Sequence, residues 1–374
     1  MKITDVRAQL LRPTEQLFQW KLEWPPRRVG LVLARVIGED GLEGNCITWL
    51  CGPGEFEDML PKLKAVMVGR DVHDVEAISL ELTDRLQSPS AVASAADIAL
   101  WDLIGKHHGE PVYKLLGAAR HRVRAYASTV TYDTVQEYVD LALTCREEGF
   151  TAYKIHAFGV PDRDIEVCRA VKEAVGDSMD LMLDPVNAYD RLGANKVAKA
   201  LEDLDFYWFE APIPDADLQG LKDLTRRYRI PITAVESISG GLLHYPPYLV
   251  DHVVDSVRSV GDWIGGISAM RKSAALCEAF GVKYEPHSYG TTLVQAAHFH
   301  VMLAIHNCDL VELPVPQGIL DQCMTDVMRV GPDGYVEAPT KPGLGYELDW
   351  DAVDDRTVRQ LGGSDDATDW VPGH

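Results

Sequence analysis

The sequence predicts an α/β protein built on a (β/α)8 barrel, and three observations carry that expectation. From about residue 122, short apolar segments alternate with longer amphipathic helical ones, eight times in about 200 residues. No Gly-rich dinucleotide or phosphate-loop motif follows an early strand, which counts against a doubly wound sheet. Acids end three consecutive strand segments, where a barrel places its chemistry.

The elements follow in order. ITDVRAQLLRP alternates as a half-buried strand, and GLVLARVIGEDGLEGNCITWL reads as a hairpin turning at Asp40-Gly41. Helical text runs from about residue 54 to SAVASAADIALWDLIGKHHGEP, where Gly109 and Pro111 form a stop signal. The barrel strands read as RVRAYAS, TAYKIHA, DLMLD, FYWFE, PITAVE, DHVVDSVRS, VKYEPHS and DLVEL, with helices such as TVQEYVDLALTCREEG and DRDIEVCRAVKEAVG between them. Past residue 330 the Gly/Pro-rich GPDGYVEAPTKPGLGYELDW is expected to run back onto the N-terminal part. The expected division is an α+β part over 1–118, a barrel over 119–330 and a returning segment over 331–374.

Composition narrows the function. With 374 residues, 46% hydrophobic and 25% charged, the chain can bury a large core. No apolar run approaches the roughly 18 residues of a membrane span, and MKITDVRAQLLRP reads as a charged strand, not a signal peptide, so a cytoplasmic location is expected. Seven cysteines without a CxxC pair suggest neither a disulfide framework nor a zinc knuckle. A net charge of −21 argues against nucleic acid and anionic membranes as partners, and an acidic substrate would need a local cluster of cations.

Strand packing does not explain Glu210 at the end of FYWFEAPIP. Asp184 and Glu236 end the strands on either side of it in sequence, each 26 residues away. Neighbouring strands lie about 5 Å apart, so three unpaired carboxylates there would repel strongly. A hard divalent cation removes the conflict, and an all-oxygen set with open positions suits Mg²⁺. Lys154 and His156 in TAYKIHA are two apart and share a strand face.

The barrel and its three acids, with SAADIALWDLIGK, WFEAP, EPHSYGT, DLVELPVP and KPGLG, resemble the mandelate racemase branch of the enolase superfamily over nearly the whole chain. The resemblance implies an N-terminal α+β capping domain completed by the C-terminal segment, and Mg²⁺ on Asp184, Glu210 and Glu236. It also implies removal of the proton α to a carboxylate. By position, Lys154 would neutralise the substrate carboxylate, and His156 would replace the second Lys of the usual Lys-x-Lys as the preferred base. His287 in KYEPHSYG matches the catalytic His of the seventh strand, here as general acid, though the two histidines could exchange roles. Glu312 matches the eighth-strand acid that donates to the substrate carboxylate and must hold a proton to do so. Trp20, Trp24, Arg27 and Arg28 fall in a loop that covers the barrel mouth in this family, and they suit a polyhydroxylated acid with a distal polar or anionic end.

Two departures stand out. Val260 replaces the Asp that usually orients the His, which leaves Asp262 as the expected partner of His287. Val186 replaces the usual Asn, with Asn187 following it. His298 and His300, i and i+2 on a helix, do not face one another as metal ligands would. Gly265-Gly266 offers a helix N-terminus to an anion, or a tight turn. The implied activity is a Mg²⁺-dependent acid-sugar dehydratase acting on a small carboxylate, a sugar acid or lactone, and assembling as a homo-oligomer. Racemisation or epimerisation and lactone cycloisomerisation share its first half-reaction. A non-catalytic metal- and acid-binding protein is the alternative of another class.

Overall fold

The computed structural model describes residues 1–86, 90–238 and 241–362. Three strands open the chain: β1 (Ile3–Leu11), β2 (Leu31–Gly38) and β3 (Glu43–Thr48). β2 and β3 form the expected hairpin, with Gly41 left-handed at φ 83° in its turn. Eight parallel strands follow: β4 (Arg122–Ser128), β5 (Ala152–Ile155), β6 (Asp180–Leu183), β7 (Trp208–Glu210), β8 (Ile232–Ala234), β9 (Ser256–Val257), β10 (Lys283–Tyr284) and β11 (Leu310–Pro314). β12 (Tyr335–Glu337) lies antiparallel on β4, and β13 (Thr357–Leu361) pairs with β1. The chain thus forms a curled parallel barrel sheet and a separate antiparallel cap sheet of order β13-β1-β2-β3, which the C-terminal segment completes.

DHVVDSVRS contributes only Ser256–Val257, because helix Pro246–Val250 runs into it and His252 turns left-handed at φ 48°. After β11 the described chain passes to β12 and the cap, so helices cross seven gaps and not eight. None of the described helices is long and apolar enough to cross a membrane.

Helix Ala91–His108 joins the two parts. It is buried on every side from Ala91 to Gly105, which its run of small and apolar residues permits. Toward the cap, its Asp102 accepts the backbone N–H of Asn45 on β3 at 2.9 Å and of Leu344 in the returning segment at 2.8 Å. Gly44 lies so close that an added Cβ would stand 1.9 Å from the Ala99 carbonyl oxygen. Toward the barrel, Asp97 accepts Ser268 N–H at 3.1 Å and Ser268 Oγ–H at 2.5 Å, while Trp101 Nε1 donates to Ser268 Oγ at 2.9 Å.

The barrel seam between β10 and β11 has no strand ladder among the described residues. Side chains replace it. The buried Glu285 carboxylate accepts the N–H of Asp309 at 2.8 Å and of Leu310 at 3.3 Å, and Ser288 Oγ both donates to the Glu312 carbonyl and accepts its N–H. Burial raises Glu285 to about 7. Removing this acceptor leaves two N–H groups without a partner, each costing about 1–3 kcal/mol where buried. Glu285→Ala should therefore lower stability by about 2–4 kcal/mol, seen as a reduced thermal midpoint, with Glu285→Gln less affected.

Candidate active site and metal centre

Asp184 follows β6, Glu210 ends β7, and Glu236 lies two residues beyond β8. Backbone beside each acid is left-handed: φ is 52° at Val186, 39° at Ala211 and 80° at Val235. Such residues cost on the order of 1–3 kcal/mol each and persist only where surrounding structure enforces them. Here the enforcement is visible. The buried carboxylate of Asp215 accepts Val235 N–H at 2.8 Å and Ser237 N–H at 2.7 Å, bracketing Glu236. Ala211 donates to the Thr233 carbonyl at 2.8 Å, and Asn187 to the Ala211 carbonyl at 2.8 Å.

One donor oxygen from each of Asp184, Glu210 and Glu236 lies within 4.8 Å of the other two. Lys154, fully buried on β5, places Nζ 3.4 Å from Asp184, 3.0 Å from Glu210 and 2.9 Å from Glu312. Arg258, just past β9 and also buried, places Nε 2.7 Å from Glu210 and pairs through its guanidinium with Glu312. Four carboxylates thus face two cations, leaving two negative charges uncompensated in a largely buried cluster. Burial and Arg258 work to lower the pKa of Lys154, but Glu210, Glu312 and Asp184 outweigh them and hold it above its ordinary value. Asp184 is driven down against its burial by His156 and Lys154. Burial raises Glu210 despite Arg258 and Lys154. Glu236 is pushed up furthest, by burial and then by the charges of Asp184 and Glu210, although its side chain is 26% exposed toward the cavity. The residual charge and the all-oxygen donors fit one Mg²⁺.

Above the acids opens a cavity of about 300 Å³. Its floor includes His156, Asp184, Glu236 and His287. His156 Nε2 lies 3.0 Å from Asp184 Oδ2, and His287 Nε2 lies 3.7 Å from Glu236 Oε1, so the imidazoles stand beside different members of the triad. Burial lowers His287 to about 3, with Arg258 and Lys154 adding to the effect against the pull of Glu312. Neither imidazole has a partner at Nδ1 among the described residues. The far wall comes largely from the cap. Phe18 and Arg27 exchange backbone hydrogen bonds of 2.9 and 3.0 Å, closing a loop that carries Trp20, Trp24 and Arg27 to the cavity, and Thr131 N–H holds that loop at the Gln19 carbonyl, 2.8 Å away. Trp20 is buried, whereas Trp24 and Arg27 are exposed. Arg28 is not among the lining residues.

The structure departs from the sequence reading at Glu312 and Asp262. Glu312 does not line the cavity, and Arg258 and Lys154 hold it well below the usual carboxylate range against its burial, so it is ionised and cannot donate. Asp262 does not reach His287. It sits in the short helix Gly261–Ile264 with both carboxylate oxygens unpartnered, 4.0 Å from His298 Nε2. The N-terminus of helix Gly266–Ala279 is occupied by Asp97 and Ser94 from the cap helix, which leaves it no anion to receive. Asn187 turns to Ser237 Oγ at 2.8 Å. His298 and His300 are buried and accept the N–H of Gly261 and Tyr113. Sequence reasoning missed Arg258, although asking what ends each strand would have found it in DSVRSVG. Trp49, Trp263 and Tyr289 also line the cavity, and no spacing signal marked them.

Residues 27–117 match the mandelate racemase / muconate lactonizing enzyme N-terminal domain, and residues 137–352 match the enolase C-terminal domain-like family. The chain is 30% identical to a D-galactarolactone cycloisomerase of Agrobacterium fabrum over 94% of its own length and 98% of that protein's. It is 30% identical to an arabinonate dehydratase of Saccharolobus solfataricus, over 68% and 69% respectively. The structure superposes on D-glucarate dehydratase from Agrobacterium tumefaciens complexed with magnesium with a TM-score of 0.86 at 30% identity, covering 96% of this chain and 100% of that one.

A carboxyl whose folded pKa lies above 4.5 holds a proton that the unfolded chain has released, so its contribution to stability is lost as pH rises. In EDTA the thermal midpoint should therefore fall as pH climbs from about 4.5 through the raised value of Glu236. Mg²⁺ should flatten that fall, and Glu236→Gln should show a shallower slope in EDTA. Scanning fluorimetry across pH checks all three; an unchanged slope in Glu236→Gln would refute the assignment.

Proposed function

The chain belongs to the mandelate racemase / muconate lactonizing enzyme family, and on that premise we propose that it removes the proton α to the carboxylate of a sugar acid. The resulting ene-diolate expels the β-hydroxyl as water and gives a 2-keto-3-deoxy acid. The observation that carries this reading is the pair of imidazoles beside different acids of one buried triad, in one cavity. Mg²⁺ held by Asp184, Glu210 and Glu236 would stabilise the second negative charge that develops on the substrate carboxylate. The names of the similar arabinonate and D-glucarate dehydratases support the substrate class. Seven unpaired, buried cysteines suit a reducing cytosol.

The chain's own groups divide the remaining work. Lys154 and Arg258 lie beneath the floor, where their ion pairs fix Glu210 and Glu312 in place. His287 faces the cavity beside Glu236, and its burial disfavours the imidazolium, leaving the neutral form that accepts a proton. This reverses the preference drawn from the sequence: His287 takes the α-proton, and His156, beside the Asp184 carboxylate, protonates the departing hydroxyl. The electron pair of the broken Cα–H bond passes through the ene-diolate into a Cα–Cβ double bond as the Cβ–O bond breaks. The enol then tautomerises to the keto acid.

Deuterium exchange separates the two roles. His287→Asn should lose both α-proton exchange in ²H₂O and keto-acid formation, by about 10²–10⁴-fold. His156→Asn should keep exchange and lose keto-acid formation by a similar factor. The reverse pattern would swap the assignment, and exchange with all hydroxyls retained would mean epimerisation.

A further inference from the structure

We infer that the cap carries a second metal site, formed by His73 and His108, for a d-block dication such as Zn²⁺. It is separate from the triad: neither imidazole lines the cavity, and the inference does not depend on the proposed reaction. His73 Nε2 and His108 Nε2 face each other at 2.7 Å, although the two residues are 35 positions apart in sequence. Behind His73, Asp71 Oδ1 lies 2.6 Å from Nδ1 and also accepts the His73 backbone N–H at 3.0 Å. An ionised carboxylate can only accept, so Nδ1 carries the ring proton and Nε2 of neutral His73 presents a lone pair toward His108. A carboxylate behind an imidazole whose other nitrogen is free is the arrangement that orients metal-bound histidines.

Both rings stand on fixed elements. His73 follows the buried Val72 in a turn closed by the Asp74 N–H on the Asp71 carbonyl at 3.0 Å. The second oxygen of Asp71 meets the Met1 amine at 3.3 Å. His108 ends helix Ala91–His108, which is buried through Gly105 and closed by Gly109, left-handed at φ 67°. The partial negative charge of that helix end favours a cation. Lys106, which could oppose one, is turned to Asp102 at 2.7 Å. His107 flanks the pair, its ring centroid 5.1 Å from that of His108 and its Nδ1 3.9 Å from Asp40.

Imidazole nitrogens suit Zn²⁺, Ni²⁺ and Cu²⁺, whereas Mg²⁺ prefers oxygen. Two Zn–N bonds of about 2.0–2.1 Å at a tetrahedral angle hold their nitrogens about 3.3 Å apart. The rings must therefore part by about 0.6 Å, which their exposure allows. No third His, Cys, Asp or Glu donor among the described residues joins the pair within metal-binding reach, so water completes the shell. The bound ion would tie the Asp71–His73 turn to the end of the helix that joins cap and barrel.

The test titrates the full chain with Zn²⁺ by calorimetry at neutral pH in excess Mg²⁺, which occupies the triad. One equivalent should bind with a micromolar Kd. His73→Asn and His108→Asn should each weaken that binding by about 10-fold or more, and Asp71→Asn by about 10-fold, while all three keep the Mg²⁺ response of the triad. Zn²⁺ should raise the thermal midpoint of the parent chain and not that of either histidine variant. Electron paramagnetic resonance of the chain loaded with Cu²⁺ should show coupling to two ring nitrogens, reduced in both histidine variants. Binding only at millimolar Zn²⁺, or a micromolar equivalent that survives either histidine substitution, overturns the inference.

Discussion

An unbalanced charge at the barrel's end governs the design of this molecule. Four carboxylates and two cations come together in a largely buried cluster, with two negative charges left over. Like charges a few ångströms apart at low dielectric cannot all stay ionised without compensation. The metal-free chain answers by raising Glu236, the acid nearest the cavity and furthest from Lys154 and Arg258 in its contacts. A divalent cation answers the same conflict without a proton. The unusual backbone beside each acid belongs to this arrangement, because the barrel's hydrogen bonds and Asp215 aim carboxylates at one another where relaxed loops would let them part.

Arg258 alters how the rest of the site can work. By pairing with both Glu210 and Glu312 it binds the fourth-strand and eighth-strand acids into a single unit with Lys154. Glu312 is thereby tied down under the floor and does not line the cavity. The imidazoles, the exposed edge of the triad and the cap loop are what a ligand meets. The cavity thus has two layers: charge below, aromatic surface above.

Much of the fold was legible because it rests on local patterns. Eight apolar segments at barrel spacing, the Asp40-Gly41 turn and the stop at Gly109 each express a rule of short range, and each corresponds to an observed element. The triad was legible for the same reason, since one strand–helix unit separates each acid from the next. What could not be read depends on three-dimensional neighbours. Glu312 looked like a donor until Arg258, 54 residues earlier, was found against it. Asp262 looked like a partner for His287 on the assumption that the strand continued, but the chain enters a helix at Gly261 and carries the carboxylate away. Trp49 lies on the cap and Trp263 on the barrel, and only the packing of one part on the other brings them to a common wall.

The cap sheet has a consequence for how the protein is made. β1 is held between β2 and β13, and Gln9 donates to Thr357, 348 positions later. During synthesis the barrel strands can assemble as they emerge, but the sheet that carries the Trp20 loop lacks its outer strand until Thr357–Leu361, beyond every barrel strand, has left the ribosome. The triad carboxylates would therefore be in place before the sheet from which the aromatic loop springs is complete.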